Sequence, residues 1–332
     1  MTYRAYMTAA GDDRIVIHDV DAETGRLENR RDVLAAGAPS PLATDPQRRW
    51  LFVGLRAVNQ MASYRIERDG GLTLLSQIPL GSDPCYVRTD RTGRFLMSAY
   101  YGAGRVAVHP IGADGALGSE PIEWLATAPK AHCIMTDRTN RLVFVPHVEP
   151  SNMILQFRFD PERGTLTPNA TPRVQPPAGE GPRHYGYHPT LDVLYFSNEQ
   201  GCSITAYRLD RAAGTLSPFQ TLPTLPPGFA GKNTCAQIHI RHDGRAVYVS
   251  NRGHDSIACY AIDPTTGALT SLGQQPAEPT PRVFGLDPGG RFLYAAGQGS
   301  GRVAAYRVMD SGRLAPLETY PLGERPMWVL VL

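Results

Sequence analysis

A short pattern recurs six times along the 332 residues of the chain. Each copy has a leading position that is often proline, an alternating run, a tight turn and an apolar triplet. Clear copies read PCYVRTDRTGRFLMS over residues 84–98 and PRVFGLDPGGRFLYA over residues 281–295. The turn positions are Asp45, Asp90, Asp137, His188, Arg241 and Asp287. Their spacing of roughly 50 residues is typical of propeller blades and other repeat arrays.

A second pattern follows each apolar triplet. It consists of an alternating run, a turn that contains glycine, and then leucine, as in ILQFRFDPERGTLTP (residues 154–168) and IACYAIDPTTGALTS (residues 257–271). This pattern predicts two further strands joined by a hairpin turn. Each repeat therefore has about four strands and almost no helical periodicity, which indicates an all-β protein.

The two ends of the chain complete one more repeat. The stretch that begins at Arg4, RAYMTAAGDDRIVIHDVDAETGRLENRR, supplies later strands of a unit but lacks the proline-led first strand. Residues 325–332, RPMWVLVL, supply that strand. A blade closed by both ends leaves no free sheet edge. We predict a seven-bladed β-propeller that forms a single domain over residues 1–332.

Composition excludes several classes of protein. The formal net charge is +2, with 42% hydrophobic and 19% charged residues, so bulk charge gives no argument for a nucleic-acid or membrane partner. The five cysteines are widely spaced without a CxxC motif, which argues against a disulfide framework or structural zinc. No run of about 18 apolar residues and no apolar N-terminal segment occurs. A cytoplasmic protein is expected, and nothing in the sequence indicates an oligomeric state.

A predicted hairpin in residues 179–200 gathers three kinds of functional group. Arg183 and His184 begin its first apolar run, and Asn198 and Glu199 end the second. In an antiparallel pair, the start of one run and the end of the next share one edge of the sheet. Strand alternation, however, points the side chain of His184 away from that of Arg183.

The repeat register extends this cluster around the predicted channel. Residues just after the leading position of the innermost strand should meet residues just past the apolar triplet at one mouth of the channel, where propellers bind ligands. The predicted site residues are His132, His147, Arg183, His184, Asn198, Glu199, Asn251, Arg252, Arg282 and Gln298. Such positions are ordinarily apolar or small, so charged residues there predict a functional pocket.

Alternatives remain open at several of these positions. Arg282 could equally be the salt-bridge partner of another inner-strand residue. Cys133, beside His132, is either a buried small residue or a nucleophile. A metal could be imagined on His132, His147 and Glu149, but no compact ligand spacing supports it. We therefore expect no metal site, with a divalent ion as the minor alternative.

Several segments resemble a known family. GPRHYGYHP, VLYFSNE, QIHIRHDGRAVYVSNRG and GERPMWVLV are similar to the bacterial propeller-type 6-phosphogluconolactonases and the wider lactonase family, which includes fungal 3-carboxy-cis,cis-muconate lactonising enzymes. The resemblance implies a seven-bladed propeller that acts on lactones without an organic cofactor. It also implies an active-site set at His132, Arg183, Glu199 and Arg252.

Two segments depart from the family pattern. KAHCIM lacks the small residues that the family places around the histidine equivalent to His132. VPHVEPSN has His147 where the phosphogluconolactonases have a small residue, and Val148 and Glu149 where a lysine often follows. A carboxylate near the mouth would repel a sugar phosphate. A non-phosphorylated aldono- or aldarolactone is therefore an alternative substrate.

The sequence accordingly predicts hydrolysis of a small sugar lactone. Glu199 is the expected general base, with His132 or His184 as proton donor. Arg183 and Arg252 are expected to stabilise the oxyanion or anchor the substrate. The predicted substrate-binding residues are His147, His184, Asn198, Asn251, Arg282 and Gln298. Two other readings are a lactonising or lactone-isomerising enzyme for a muconate- or aldarate-like acid, and a non-catalytic propeller scaffold.

Overall fold

The computed structural model describes residues 2–332, which form seven four-stranded antiparallel sheets. The strands are β1 (Thr2–Ala9), β2 (Arg14–Asp21), β3 (Leu27–Leu34), β4 (Pro39–Thr44), β5 (Trp50–Leu55), β6 (Gln60–Ile66), β7 (Leu72–Pro79), β8 (Tyr86–Thr89), β9 (Phe95–Tyr100), β10 (Arg105–Pro110), β11 (Glu123–Ala126), β12 (Met135–Thr136), β13 (Leu142–His147), β14 (Met153–Asp160), β15 (Thr165–Val174), β16 (Pro182–Tyr187), β17 (Val193–Asn198), β18 (Ser203–Asp210), β19 (Thr215–Pro223), β20 (Thr234–Ile240), β21 (Ala246–Arg252), β22 (Ser256–Ile262), β23 (Leu269–Pro276), β24 (Val283–Leu286), β25 (Phe292–Gly297), β26 (Arg302–Val308), β27 (Leu314–Pro321) and β28 (Pro326–Val331). A 3₁₀ turn, Arg56–Val58, follows β5.

Six of the sheets take four consecutive strands each, so blades 1 to 6 begin at β4, β8, β12, β16, β20 and β24. Blade 7 has the order β28-β1-β2-β3, with Tyr6 opposite Leu330. The predicted seven-bladed propeller, closed by both ends of the chain, is confirmed. No helix in residues 2–332 has the length and apolar character needed to cross a bilayer.

The core lies between the blades rather than inside any one of them. Strands β9, β13, β17 and β25, the second in their blades, are buried at all six positions. Each is covered by a neighbouring blade on both faces, which explains their almost continuous apolar sequence. The outermost strands are more exposed; β3, for example, is largely exposed.

The recurring turn aspartates are structural. Asp90 accepts hydrogen bonds on Oδ1 from the backbone N–H groups of Arg94 (2.9 Å) and Phe95 (3.0 Å), and closes the turn between β8 and β9. Asp45, Asp137 and Asp287 do the same in their blades. In blade 4, His188 takes this position, and its Nδ1 accepts the N–H of Leu191 at 2.9 Å. The repeated residue therefore accepts backbone hydrogen bonds within its turn, and His188 does so in place of aspartate.

In four blades, a tyrosine of the second strand donates a hydrogen bond to a glycine carbonyl of the next blade. The Tyr195 hydroxyl donates to the carbonyl of Gly267 in the next blade at 2.8 Å, and Tyr248 donates to Gly312 at 2.9 Å. The other two bonds run from Tyr294 to Gly25 and from Tyr6 to Gly70. The acceptor glycines lie in hairpin turns at positive φ, where a side chain is disfavoured. Each bond ties the second strand of one blade to the outer hairpin of the next.

Candidate active site

The N-terminal ends of the innermost strands surround one end of the channel, here called the upper mouth. A small cavity lies there, with about 10 Å³ of free space, which is room for roughly one water molecule. Its lining comprises Ser40, Pro41, Arg56, Cys85, Arg183, His184, Gln237, Arg282, Val283, Met327 and Trp328. These residues come from five of the innermost strands and from the segments that flank the inner strands. The long side chains of Arg56, Arg282 and Met327 fill much of the mouth.

A β-bulge explains why two consecutive residues of β16 reach this cavity. The pairing between β16 and β17 shifts register between Pro182 and His184, which leaves Arg183 as the extra residue. A bulge interrupts strict alternation and redirects a side chain. His184 therefore lines the same cavity as Arg183, and the expectation from alternation that it points away is wrong. Inner strands β4 and β20 carry register shifts at comparable positions.

Glu199 is clamped between two arginines. Arg183 donates from Nε to Oε2 of the carboxylate at 3.0 Å, and Arg252 donates from Nη2 to Oε1 at 2.8 Å. Arg252 also donates to the carbonyl of Cys235 at 2.7 Å, which fixes its guanidinium. Burial alone raises the pKa of Glu199, but the charges of Arg183 and Arg252 outweigh it and hold that pKa below its usual range. The carboxylate is ionised at neutral pH.

The arginines retain unused donor capacity. Arg183 is 2% exposed; burial lowers its pKa to about 9, and its Nη1 has no partner among the described residues. The Nε of Arg252 is likewise buried without a partner in that part of the chain. Arg282 makes no side-chain hydrogen bond or ion pair within residues 2–332, and burial, followed by repulsion from Arg252 and Arg56, lowers its pKa to about 10. Buried donors of this kind are satisfied by a bound anion or a developing oxyanion.

The charge balance of the upper mouth is positive. Arg56 donates from Nε to Asp83 at 3.0 Å, which pairs one further arginine with a carboxylate. Arg56, Arg183, Arg252 and Arg282 face two carboxylates, those of Asp83 and Glu199, so two positive charges are in excess. An anionic ligand would neutralise this excess.

Two histidines contact each other edge to face beside Arg183. His184 Nε2 lies 3.2 Å from His132 Nδ1, so one ring donates to the other, and the ring centroids are 5.0 Å apart. Burial, and then the charge of Arg183, hold the pKa of both imidazoles well below the usual value. Both rings are neutral at pH 7. His132 is 4% exposed and reaches the cavity through His184.

Three predicted substrate-binding residues belong to the framework instead. His147 is fully buried, with Nδ1 bonded to the Val145 carbonyl (3.0 Å) and Nε2 to the Thr127 hydroxyl (3.1 Å). Asn198 donates to Ser203 and Thr205 within blade 4, and Asn251 bonds with Thr224 and Ser256. These side chains point into the blades, so we withdraw them from the binding set.

Gln298 lies at the edge of the upper mouth and contacts its lining indirectly. Its Nε2 is 3.4 Å from the sulfur of Met327, which lines the cavity. The repeat register places Arg56 at this mouth, but the predicted binding set omits it, and sequence reasoning missed Gln237 and Trp328 as lining residues. Arg56 follows an apolar triplet, which is the signal that selected Arg252; the other two sit at or beside inner-strand irregularities that the sequence does not reveal. In residues 2–332, no group of three or more His, Cys, Asp or Glu side chains is arranged to hold a metal ion.

Comparison with known proteins identifies the family. The protein-family model described as "Lactonase, 7-bladed beta-propeller" matches residues 2–331 of the chain. The chain belongs to the seven-bladed β-propeller lactonase family. As a lactonase, it is a hydrolase that opens a cyclic ester. The predicted family is confirmed, and the non-catalytic scaffold reading is set aside.

Lactonases of this family with high similarity span nearly the whole chain. A 6-phosphogluconolactonase of Pectobacterium carotovorum is 36% identical over 329 residues, 98% of each chain. A 6-phosphogluconolactonase of Serratia proteamaculans is 35% identical over 312 residues, 94% of this chain and 93% of its own. The periplasmic gluconolactonase of Pseudomonas aeruginosa superposes with a TM-score of 0.93 at 26% identity, covering 100% of this chain and 99% of its own.

Proposed function

We propose that this lactonase hydrolyses an anionic sugar lactone, with 6-phosphogluconolactone as the first candidate. The observation that carries the proposal is the excess of positive charge at the upper mouth, where Arg183 Nη1 and the guanidinium of Arg282 lack protein partners in the described residues. The name shared by relatives at 35–36% identity points to the same substrate. A plain aldono- or aldarolactone stays the alternative, as the name of the Pseudomonas aeruginosa protein suggests.

The sequence suggests that the Glu149 carboxylate would repel a sugar phosphate, but the position of Glu149 does not support this. Its carboxylate accepts the backbone N–H of Gly179 at 2.7 Å and does not line the cavity of the upper mouth. Asp83 and Glu199 do not line the cavity either; each is paired with an arginine that does, Arg56 or Arg183. Repulsion of a phosphate by Glu149 is therefore not expected.

In the proposed reaction, Glu199 activates water. The water oxygen bonds to the lactone carbonyl carbon while Glu199 accepts one of its protons. Arg183 or Arg252 stabilises the oxyanion that forms on the carbonyl oxygen, an effect worth about 3 kcal/mol for one well-placed donor. The bond from the carbonyl carbon to the ring oxygen then breaks, and the ring oxygen takes a proton, which yields the open hydroxy acid.

The return of the proton is assigned to Glu199 rather than to a histidine. Both His132 and His184 have a pKa well below the usual value because of burial, so neither is an imidazolium at neutral pH. A neutral imidazole is a weak acid and a poor proton donor to an alkoxide. Protonated Glu199 is the stronger acid, and the histidine pair orients the groups around it.

A hydrolysis screen tests this function. Initial rates of acid release, corrected for spontaneous ring opening, would be compared for 6-phosphogluconolactone, gluconolactone and an aldarolactone, each with and without a chelator. We expect kcat/KM to be greatest for the phosphorylated lactone. A preference for a neutral lactone would overturn the anionic substrate. No turnover of any lactone, together with ring closure of a muconate-like acid, would favour the lactonising alternative.

We further propose that hydrolysis needs no organic cofactor or metal and takes place in the cytoplasm. All five cysteines are free thiols, four of them buried, which suits a reducing compartment. The chelator arm of the screen tests the first part: a loss of activity that added divalent metal restores would contradict it. Fractionation of the native host's cells tests the second, and recovery of the protein in a periplasmic fraction would contradict it.

A further inference from the structure

A second and larger cavity lies at the other end of the channel. It has a volume of about 540 Å³ and is lined by the C-terminal ends of the innermost strands, here called the lower mouth. This volume is within the range of small-molecule sites, roughly 300–1,000 Å³. Tyr86 separates it from the upper mouth, with its ring 5.1 Å from that of His184 and 5.7 Å from that of Trp328. The lower mouth is therefore distinct from the candidate active site.

Two innermost strands depart from the pattern of the others at this mouth. The next-to-last residue of each innermost strand occupies the same place in the repeat. These residues are Ala43, Arg88, Met135, Gly186, His239, Gly285 and Leu330. Five are small or apolar, as the lining of a propeller channel requires. Arg88 and His239 are polar and both line the cavity.

The three arginines that line this cavity form no ion pair with the carboxylates of its lining. Arg48, Arg88 and Arg91 all line the cavity, and none forms an ion pair within residues 2–332. Arg91 is fixed by donation from Nε to the Asp137 carbonyl at 3.1 Å, which orients its guanidinium without neutralising it. Burial, and then repulsion from Arg88, lower the pKa of both Arg91 and His239. A bound anion would relieve this repulsion.

The carboxylates in the lining are already committed. Asp45 is fully buried and accepts the N–H groups of Arg49 and Trp50 on Oδ1 and the Arg49 guanidinium on Oδ2. Asp90 is 1% exposed, and both its oxygens accept hydrogen bonds from its own turn and from Asn140. Leu332 also lines the cavity, and its carboxyl group accepts the N–H of Arg4 at 3.0 Å. Within the described residues, none of these three carboxylates forms an ion pair with Arg48, Arg88 or Arg91.

The rest of the lining is apolar. Met135, Ile240, Leu286 and Leu330 contribute side chains to the wall. We propose that the lower mouth is a second ligand site, specific for a small organic anion in which a phosphate or carboxylate group is joined to an apolar part. Arg88 and Arg91 bind the anionic group, and the apolar residues contact the remainder. This site does not depend on the function proposed for the upper mouth.

Calorimetric titration of the full chain tests the site. The probes are phenyl phosphate, benzoate and inorganic phosphate, and the variants are Arg88→Met and Arg282→Met, with Arg68→Met as control. Arg68 is an exposed arginine of the β6–β7 hairpin that lines neither cavity. The comparison of phenyl phosphate with benzoate identifies the preferred anionic group. The difference in affinity between phenyl phosphate and inorganic phosphate measures the contribution of the apolar part of the ligand.

We expect Arg88→Met to weaken the binding of phenyl phosphate by about tenfold or more, whereas Arg282→Met and Arg68→Met leave the lower site unchanged. Lactone hydrolysis by Arg88→Met should equal that of the parent, which also shows that this variant is folded. Phenyl phosphate should bind more tightly than inorganic phosphate. Absence of binding at millimolar concentrations, binding removed by Arg282→Met alone, or equal affinity for both phosphates would overturn the proposal.

Discussion

Two properties of Glu199 bear on the catalytic role that we propose for it. It is held in one orientation by Arg183 and Arg252, and it remains ionised because their charges outweigh the effect of burial on its pKa. A low pKa makes it a weak base, since base catalysis is most efficient near the working pH. In the proposed reaction, the neighbouring guanidinium groups would offset this weakness by stabilising the oxyanion. The three residues are best understood as one unit.

Glu199→Gln should lower kcat by about 10²–10⁴-fold, because the amide keeps the shape of the side chain but cannot accept a proton. Steady-state rates on the best lactone of the screen measure the effect. The matched control is Glu149→Gln, since Glu149 accepts a backbone N–H outside the cavity. It should retain parental kcat. Full activity of Glu199→Gln would show that another group activates the water.

Arg282→Met should raise KM for an anionic lactone by about tenfold or more while changing kcat little. Arg282 lines the cavity and has no protein partner for its guanidinium within residues 2–332, so its donors are available to the anionic group of the substrate. Kinetics on 6-phosphogluconolactone and on neutral gluconolactone measure the difference. An equal loss on both substrates would instead assign Arg282 to the lactone ring or to the reaction itself.

At the scale of strands, the number of blades and their closure can be predicted from the sequence because five of the blades repeat the same turn chemistry. Asp90 and Asp287 close equivalent turns, and the two chain ends supply complementary strands. The meeting of Arg183, Glu199 and Arg252 follows from that register. The sequence does not predict local irregularities of the strands. The bulge at Arg183 changes the direction of the His184 side chain, and no residue type in the sequence indicates that a bulge forms there.

Alternation explains the opposite error at Asn198 and Asn251. Each immediately precedes a residue of the candidate site, Glu199 or Arg252, so its side chain faces the other side of the strand. There it is buried and bonded within its blade. Strict alternation thus excludes these two residues from the cavity, whereas at His184 the same rule fails because the strand is bulged. Contacts with neighbouring blades, rather than local sequence, decide where a bulge forms.

Tyr248→Phe should lower the free energy of unfolding by about 1–3 kcal/mol, because the buried Gly312 carbonyl loses the hydroxyl that binds it across the blade interface. Urea denaturation measures the change. The control is Tyr64→Phe, since Tyr64 is also buried but makes no side-chain hydrogen bond within residues 2–332. If both substitutions cost the same, the loss would reflect the packing of the ring rather than the bond between blades.

At the scale of the whole molecule, buried histidines couple stability to pH. Burial lowers the pKa of His109, His147 and His239 to about 4 in the folded protein, against about 6.5 in an unfolded chain. Above pH 6.5 these imidazoles are neutral in both the folded and the unfolded state, so they do not reduce the free energy of unfolding. Between pH 6.5 and 4, the unfolded state binds more protons, so stability falls as the pH falls. The cost at pH 5 is about 2 kcal/mol for each histidine.

Urea unfolding at pH 7.5 and pH 5 should therefore show a marked loss of stability at the lower pH. His109→Phe tests the cause, because His109 is 2% exposed and makes no side-chain hydrogen bond within residues 2–332. The fall in unfolding free energy between the two pH values should be smaller by about 2 kcal/mol in this variant. His242→Gln, at an exposed position, should behave like the parent. An unchanged pH dependence in His109→Phe would show that His109 is not a cause of the acid sensitivity between pH 7.5 and pH 5. Glu199 would not explain that loss either, because its lowered pKa makes the folded state lose stability only at lower pH.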